Sequence, residues 1–496
     1  MALPVPQRLF VVPPTVTGAF GQFVLFVSTF AALNDQPLIN KKPGLTLGPF
    51  GQWFNRNETW ANMACPWISY LARNSYMLQQ GRFAADIIYY YGQDTNLTAL
   101  YQHRSPNLPN GYDFDYVNAD ALTHVLGVNS QGEITTPGKV TYRILGLNQN
   151  SRHMSLAVLQ AIHKLVMEGA SVAGPKPTND PSLADNQTEF HSLANELFGN
   201  GHGVHHVGKG TVYAGMSVSE ALAGMHVSPD FSYVATLPGA TLKFIHRKLA
   251  NGDIYFVDNR GDNAATAEAT FRVTGMVPWL WHSETGKITP VSYTMANGRT
   301  SIPLHLGPWG SVFVVFRGHA TRSSWLAPAK VKKHLATIHG PWKVTFPPNW
   351  GAPPSITLNK LASWSDNSNS GVKYFSGIGT YTKTIQAPAS WFQHGAHIWI
   401  NLGKVKNLAE VTVNGKPLGV VWHTPYKVDA TSALHPGSNT LTIKVADAWV
   451  NRLIGDQQPN AAKKYTFSDY HPYTAKSPLL PSGLLGPVTI HSVTMK

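Results

Sequence analysis

The fold class is decided by residues 142–173, which read YRILGLNQNSRHMSLAVLQAIHKLVMEGASVA. The segment opens with an apolar run, Tyr142–Leu147, and closes with a second one, Ala170–Ala173. Between them, large apolar residues recur at helical spacing from Leu156 to Val166, and Gly169 stands where a helix C-cap belongs. A strand, a helix and a strand in this order predict a βαβ unit with neighbouring parallel strands.

The same pattern continues on both sides of this segment. Asp86–Tyr91 reads as a buried strand and Thr211–Ala214 as another, and Ser217 and Glu220 have the spacing of a capping box at the start of a helix. We therefore predict an α/β domain of the flavodoxin or amidotransferase type over residues 81–235. A helix is predicted before it, from Trp60 to Gln80, ending at Gly81.

Beyond residue 235 the apolar pattern changes to a period of two, which is typical of β-strands. Asn251-Gly252 and Asn414-Gly415 are strong hairpin signals between such runs. The pattern predicts a small β domain at 236–318, a linker at 319–338, and a β-sandwich of jelly-roll, galactose-binding-like type at 339–496. The predicted fold class is thus multidomain, α/β followed by all-β.

Charge and cysteine content exclude several functional classes. The chain has 39 Lys and Arg against 26 Asp and Glu, a net charge of +13, but the positive charges are scattered, which argues against nucleic-acid binding. Cys65 is the single cysteine, so no intramolecular disulfide and no cysteine-based metal site can form. The uncharged run Val16–Leu33 is diluted by polar residues, so we predict no stable membrane span; a buried strand and a poor signal peptide both stay open.

The most suggestive stretch for function is GPFGQWFNRNETW, residues 48–60. It combines a glycine-rich loop with Trp53, Arg56, Glu58 and Trp60, and sugars stack their apolar faces on aromatic rings while their hydroxyls bond to planar polar groups. We therefore predict a carbohydrate-binding subsite at these four residues. A loop that simply packs on the following helix is an equal alternative.

Three other signals are weaker. The histidines at 202, 205 and 206 could bind a metal, but flanking glycines and the lack of a carboxylate at ligand spacing favour a solvated loop. Asp113 and Asp115 could form the carboxylate pair of a glycoside hydrolase, although their position after Asn110-Gly111 favours turn-forming residues. Tryptophans at 342, 399 and 422 read as core, and core is also favoured for those at 350, 364 and 449, whose alternative is a glycan groove.

Taken together, the ordered motifs resemble glycoside hydrolase family 106, the α-L-rhamnosidases. The motifs are Gly48-Pro-Phe-Gly-x-x-Phe-x-Arg-x-x-Thr-Trp60, Tyr70–Gly81, Gly111–Tyr116, Asn451–Asp456 and Ser477–Pro487, with shorter matches at 254–257, 271–275 and 310–316. The resemblance runs from about residue 36 to the last residue. It implies a (β/α)8 barrel, then an α/β domain, then β-sandwiches, the last similar to the sugar-binding domain of family 2 glycosidases.

The resemblance also implies an activity, the inverting cleavage of α-L-rhamnosides. In the family the general acid and the general base are glutamates on barrel strands, and a calcium ion helps to hold the sugar. The resemblance assigns neither glutamate to a residue of this sequence, so the catalytic residues are unknown, and it places residues 1–80 at the end of the barrel with its connecting helix. We therefore expect a truncated or frameshifted gene, with residues 1–35 partly out of frame, and no metal or cofactor in this chain itself.

Three hypotheses about function follow, ranked in this order. The first is a fragment of an α-L-rhamnosidase-like hydrolase with little or no activity alone, which binds a rhamnose-containing glycan and associates with itself through its N-terminal end. The second is a non-catalytic carbohydrate-binding protein that uses the C-terminal sandwich. The third is a complete enzyme with an altered site, in which Glu58 works with Asp86 or Asp94. Family members are commonly exported, which would place the protein in the periplasm or outside the cell.

Overall fold

A computed structural model describes residues 58–93, 108–236, 239–467 and 471–495. The uncharged run 16–33 and the predicted site residues Trp53 and Arg56 lie outside these ranges. The described residues divide into two units: one combines residues up to 76 with 283–287 and 327 onward, and the other combines 77–282 with 288–326. Both units are mostly β-structure.

The predicted helix at 60–80 is observed in a shorter form. Helix α1 spans Cys65–Leu78 and follows a 3-10 turn at Ala61–Met63. Pro66 fits the first turn of α1 because a proline there sacrifices no intrahelical hydrogen bond. Beyond the helix the chain reaches Gly81, whose φ of 59° suits a residue without a side chain.

The second unit holds the helices that flank its strands. They are α2 (Ala119–His124), α3 (Leu156–Glu168), α4 (Gln187–Phe198) and α5 (Val218–Gly224). Its strands, in chain order, are β1 (Arg82–Ala84), β2 (Ile87–Tyr90), β3 (Phe114–Val117), β4 (Gly127–Val128), β5 (Ile134–Thr135), β6 (Thr141–Tyr142), β7 (Ile144–Leu147), β8 (Ser171–Gly174), β9 (Gly203–Val207), β10 (Gly210–Ala214), β11 (Phe231–Ala235), β12 (Leu242–Leu249), β13 (Gly252–Asn259), β14 (Ala265–Phe271), β15 (Met276–Trp281), β16 (Ile288–Pro290), β17 (Tyr293–Ala296), β18 (Arg299–Leu306), β19 (Ser311–His319) and β20 (Ser324–Trp325).

The strands that flank α3 lie in a sheet of order β3-β2-β7-β8-β10-β9. Neighbours from β3 to β10 pair in parallel, and β9 pairs antiparallel with β10. Helix α3 turns its apolar side chains into the core and ends at Gly169, with φ of 129°, as its sequence pattern predicts. The sheet is buried because strands such as β2 and β7 are apolar on both faces.

Two further sheets of this unit run in the orders β1-β12-β13-β19-β15-β16 and β11-β14-β18-β17-β20, and a small one in the order β4-β5-β6. The hairpin predicted at Asn251-Gly252 is confirmed, because β12 and β13 pair antiparallel on either side of it. Their shared core is aromatic, with Tyr255, Phe271 and Phe316 in mutual contact.

The first unit contains a β-sandwich. Its strands are β21 (Lys330–Ile338), β22 (Trp342–Thr345), β23 (Ser355–Leu358), β24 (Ile378–Ala387), β25 (His397–Asn401), β26 (Lys404–Lys406), β27 (Leu408–Val413), β28 (Lys416–Val421), β29 (Lys427–Asp429), β30 (Gly437–Ala446), β31 (Gly483–Gly486) and β32 (Val488–Met495). Short helices α6 (Ser370–Lys373) and α7 (Val450–Gly455) lie between them. The two main sheets have the orders β21-β32-β25-β29 and β23-β22-β24-β30-β27-β28, and they enclose one apolar core.

Several sequence interpretations differ from the structure. Residues 319–338, expected to be a linker, contain β20 and the whole of β21, and β21 pairs along its length with β32. Of the three histidines, His205 and His206 lie in strand β9 rather than in a loop, because the turn at Gly208-Lys209 pairs this strand with β10, and His202 directly precedes it. Asp115 lies within β3, so its assignment to a turn is wrong; the turn formed by Asn110 and Gly111 ends before it.

Candidate functional site

The described part of the predicted subsite is Glu58–Trp60, which leads directly into the 3-10 turn before α1. The backbone carbonyl of Glu58 accepts from Ala61 at 3.1 Å and that of Trp60 from Met63 at 2.8 Å, so the turn fixes both residues. Trp53 and Arg56, the other two predicted residues, are outside the described ranges. The site is therefore built from Glu58 and Trp60 and the groups around them.

Trp60 lines an aromatic pocket of about 190 Å³ together with Ala64, Trp67, Leu408 and Trp422. The rings of Trp60 and Trp67 meet edge to face with centroids 6.0 Å apart. Trp60 thus packs on α1 and also faces a cavity, and the carbohydrate subsite stays a prediction. Apolar ring walls of this kind suit the apolar face of a sugar.

Trp422 is the residue of this pocket that sequence reasoning misplaced. It was expected in the core, but it is only partly buried and packs with its ring centroid 5.3 Å from that of Tyr70. By contrast, Trp364 and Trp449 are 1% and 4% exposed, which confirms the core assignment for both. The signal that could have separated them is the flanking His423-Thr424-Pro425, since a proline after an apolar run ends the buried strand.

Glu58 is the ionisable group of this segment, and the residue is only 6% exposed. Burial raises its pKa from 4.5 to about 8, so that the neutral acid predominates at pH 7. Among the described residues its Oε2 has no hydrogen-bond partner. A protonated, buried carboxyl is the form that a general acid needs.

A second buried carboxyl lies beside the same segment. The hydroxyl of Thr59 donates to the backbone carbonyl of Asp447. The Asp447 side chain accepts from the Gly377 amide at 2.8 Å, and burial raises its pKa well above the usual value. Asp447 also lines a small polar cavity of about 100 Å³ with Asn407, Asn451 and other residues of the sandwich.

The motif residues 451–456 form hydrogen bonds that hold neighbouring segments of the described fold together. The amide of Asn451 donates to the carbonyl of Leu480 and accepts from its N–H, both at 2.8 Å. Asp456 bonds Arg452 at 2.9 Å and accepts from the amide and hydroxyl of Thr466, each at 2.7 Å. The Asn451 bonds join the motif at 451–456 to the motif at 477–487, and the Asp456 bonds hold the first motif to Thr466. These bonds explain the two residue types without a catalytic role.

Of the two carboxylates suggested as partners of Glu58, one is bound by an arginine and the other is outside the described residues. Asp94 is outside the described residues. Asp86 lies in the second unit, where Arg272 binds both of its oxygens at 2.8 and 2.9 Å. Of the aspartates in the Gly111–Tyr116 motif, Asp115 accepts from the Tyr142 hydroxyl at 2.6 Å, and burial raises the pKa of Asp113 to about 7.

The described residues hold no cluster of three or more His, Cys, Asp or Glu side chains arranged as a metal site. We therefore assign the calcium ion implied by the resemblance to no residues of this part of the chain and derive no step through it. Of the helices in the same residues, none combines the length and the apolar character that a membrane span requires.

Comparison with known proteins places the chain in a family. The family model described as alpha-L-rhamnosidase, glycoside hydrolase family 106, matches residues 22–295. The chain belongs to this family. A second model, described as the galactose-binding domain-like region of family 2 glycosyl hydrolases, matches residues 366–477, which lie in the sandwich.

Two known proteins are similar to most of the chain. The solved structure of a rhamnosidase from Novosphingobium sp. PP1Y is 43% identical, with a TM-score of 0.85, over 92% of this chain and 43% of that chain. A protein of Formosa agariphila named "Putative beta-glucuronidase" is 23% identical over 92% of this chain and 59% of its own length. The chain thus spans about half the length of the relatives it matches.

Proposed function

We propose that this family 106 chain acts as part of an α-L-rhamnosidase-type glycoside hydrolase and that its substrate is a rhamnose-containing glycan. The observation that carries the proposal is the aromatic pocket of Trp60, Trp67 and Trp422, of which the first lies in the same motif as Glu58, whose pKa burial raises to about 8. The 6-deoxy sugar rhamnose has an unusually apolar face, which suits ring walls better than charged ones. We further propose Trp53 and Arg56 as sugar contacts, on the strength of the motif they share with Glu58 and Trp60.

We propose that the 496-residue chain has little or no hydrolytic activity by itself. Inversion needs a general acid and a general base on opposite sides of the scissile bond, with room for a water between them. Glu58 could serve as an acid, but Asp86 is held by Arg272 and Asp115 by Tyr142, so neither offers a free base. The family resemblance also assigns both catalytic glutamates to barrel strands.

The test is hydrolysis of an aryl α-L-rhamnoside by the purified chain, with and without added calcium. We expect no turnover that follows the folded protein through chromatography. Turnover that is abolished by Glu58→Gln would overturn the inactive assignment and make Glu58 a catalytic residue. Turnover left untouched by that variant would remove Glu58 from the reaction.

The sugar contact is tested separately by the binding of methyl α-L-rhamnoside. Trp422→Ala should weaken binding at least tenfold, because it removes one wall of the pocket. Trp279→Ala, at a half-exposed tryptophan of the second unit that lies outside the pocket, serves as the matched control. Equal affinity of both variants would contradict the assignment of the pocket.

A second candidate function is carbohydrate binding by the sandwich, favoured by a groove of about 390 Å³. Tyr374, Tyr465 and Arg452 line it, and the Arg452 guanidinium lies 4.9 Å above the Tyr465 ring. The match of residues 366–477 to a galactose-binding-like model supports this candidate. Tyr465→Ala should abolish glycan-array signals of the full chain, whereas Tyr473→Ala, outside the groove, should not.

Two finer points of organisation are also proposals. We propose that residues 81–235 form an α/β domain of flavodoxin or amidotransferase type, supported by the parallel pairing of β2, β7, β8 and β10. We also propose self-association through the apolar N-terminal residues. Deletion of residues 1–40 should then lower the number of chains per sedimenting particle and raise solubility. The same number of chains per particle before and after the deletion would argue against it.

A further inference from the structure

A cavity of about 430 Å³ in the second unit carries an excess of positive charge, and we name it the cationic cleft. It is lined by Arg82, Lys139, Arg143, Lys248 and Arg272. The carboxylates that line it are fewer, namely those of Asp86, Glu133 and Asp230. Its volume lies within the range of about 300–1,000 Å³ typical of small-molecule sites.

The backbone register places two of these cations side by side. In the antiparallel pair of β1 and β12, Arg82 lies directly opposite Lys248. Like charges at directly opposed positions destabilise a sheet, and both side chains point to the face that lines the cleft. His246, two residues before Lys248, lies on the same face, whereas Arg247 on the other face donates to the carbonyls of Gln80 and Gly81.

The charges at the floor of the cleft compensate one another. His246 is only 2% exposed and lies between Asp230 at 2.7 Å and Asp253 at 2.8 Å. Its ring stacks on Tyr255 with centroids 3.9 Å apart. Arg272 holds Asp86 through two hydrogen bonds, so the floor is a rigid network with its partners satisfied.

The rim is different, because three of its four cations lack a carboxylate partner among the described residues. Arg143 lies 3.4 Å from Glu133, but among the described residues Arg82, Lys139 and Lys248 have no carboxylate within 4.0 Å. Asp253, opposite Lys248 on β13, is already bound by His246. The guanidinium of Arg82 donates to the backbone carbonyl of Lys139 at 3.2 Å, which brings the hairpin that carries Lys139 to the rim.

We infer that the cationic cleft binds an acidic sugar of the hexuronate class, with its carboxylate against Arg82, Lys139 and Lys248. A singly charged carboxylate fits better than a phosphate dianion, because Asp86 and Glu133 line the same cavity and repel a second negative charge. Arginine offers the planar fork that binds a carboxylate through two hydrogen bonds. The Glu133 side chain is 24% exposed, and its oxygens, which already contact Asn129 and Arg143, each have a second lone pair that can accept a sugar hydroxyl. The inference does not depend on hydrolysis and holds for a chain without turnover.

The test is calorimetric titration of the full chain with D-glucuronate and D-galacturonate, with D-glucose and inorganic sulfate as comparison ligands. We expect at least one uronate to bind, and to bind at least tenfold more tightly than glucose or sulfate. The affinity should fall as NaCl rises, because the rim cations are exposed to solvent. Binding of sulfate as tight as that of both uronates would overturn the sugar assignment.

The matched variants are Lys139→Gln/Lys248→Gln in the cleft and Lys164→Gln/Lys209→Gln elsewhere on the same unit. All four lysines are exposed, so both double variants should fold like the parent. The first should weaken uronate binding at least tenfold, whereas the second should leave it within twofold. Equal loss in both, or no uronate binding by the parent at millimolar concentration, would overturn the inference.

Discussion

Removal of the Arg272 guanidinium should destabilise the second unit through one identifiable charge. Arg272 supplies two hydrogen bonds to Asp86, whose side chain is only 4% exposed, and lies 3.6 Å from Asp230. Arg272→Met leaves Asp86 with Arg143 alone, at 3.9 Å. Because the variant strands a buried carboxylate, we expect a loss of about 3–5 kcal/mol in the free energy of unfolding.

The expected change in melting temperature follows from the size of the unit. At about 2–4 °C per kcal/mol for a unit of roughly 150–250 residues, the loss amounts to about 6–20 °C. Differential scanning calorimetry of the full chain at pH 7 measures it. The control is the double variant Arg272→Met/Asp86→Asn, which removes the stranded charge and should recover most of the melting temperature.

The pH dependence of the single variant gives a further check. Burial already raises the pKa of Asp86, and Arg272 opposes that rise, so its removal raises the folded-state pKa further. A carboxyl whose folded pKa exceeds its unfolded value stabilises the fold at low pH and loses that contribution as pH increases. Arg272→Met should therefore differ less from the parent at pH 5 than at pH 8. A loss below 1 kcal/mol, or no recovery in the double variant, would refute the reasoning.

Three other variants have defined expectations. Glu58→Gln should stabilise the chain at pH 8 by on the order of 3 kcal/mol, because burial raises the pKa of Glu58 from 4.5 to about 8 and the parent loses stability as pH rises through that window. Urea unfolding at pH 5 and pH 8 measures the effect. The same change in unfolding free energy between the two pH values for both proteins would contradict it. Gly379→Ala should lower the free energy of unfolding by about 1–3 kcal/mol, because the added Cβ would overlap the Trp364 ring. Thermal unfolding measures it, and a melting temperature equal to that of the parent would contradict the expected overlap. Tyr142→Phe should lower the free energy of unfolding, measured by chemical denaturation, by about 1.5–3 kcal/mol, because it removes the 2.6 Å hydrogen bond to Asp115. In the double variant Tyr142→Phe/Asp115→Asn the loss should be smaller.

Features set by near neighbours in the sequence could be predicted well. Helix α3 ends at Gly169 because a residue with positive φ is needed there, and the capping box joins Ser217 to Glu220, three residues later. The hairpin at Asn251-Gly252 forms for the same reason, since the turn residues themselves specify it. In each case the physical cause lies within a few residues of the pattern that shows it.

The parts that sequence reasoning missed depend on distant partners. Asp86 looks like any strand-end aspartate until Arg272, 186 positions later, binds it. The place of Trp422 in the aromatic pocket requires α1 to approach it, and no periodicity within its own strand records that approach. Likewise, the opposition of Arg82 and Lys248 follows from a strand register, which the sequence between them does not specify.

The position of β32 has a consequence for how the sandwich is made during synthesis. This last described strand lies between β21 and β25 in its sheet. The nearer of the two in the chain is β25, which ends at Asn401, whereas β32 begins only at Val488. Until it emerges from the ribosome, β21 and β25 both present unpaired edges, and their sheet cannot close. The sandwich can therefore close only after β32 has been synthesised, and until then its open edges are surfaces on which other nascent chains can associate.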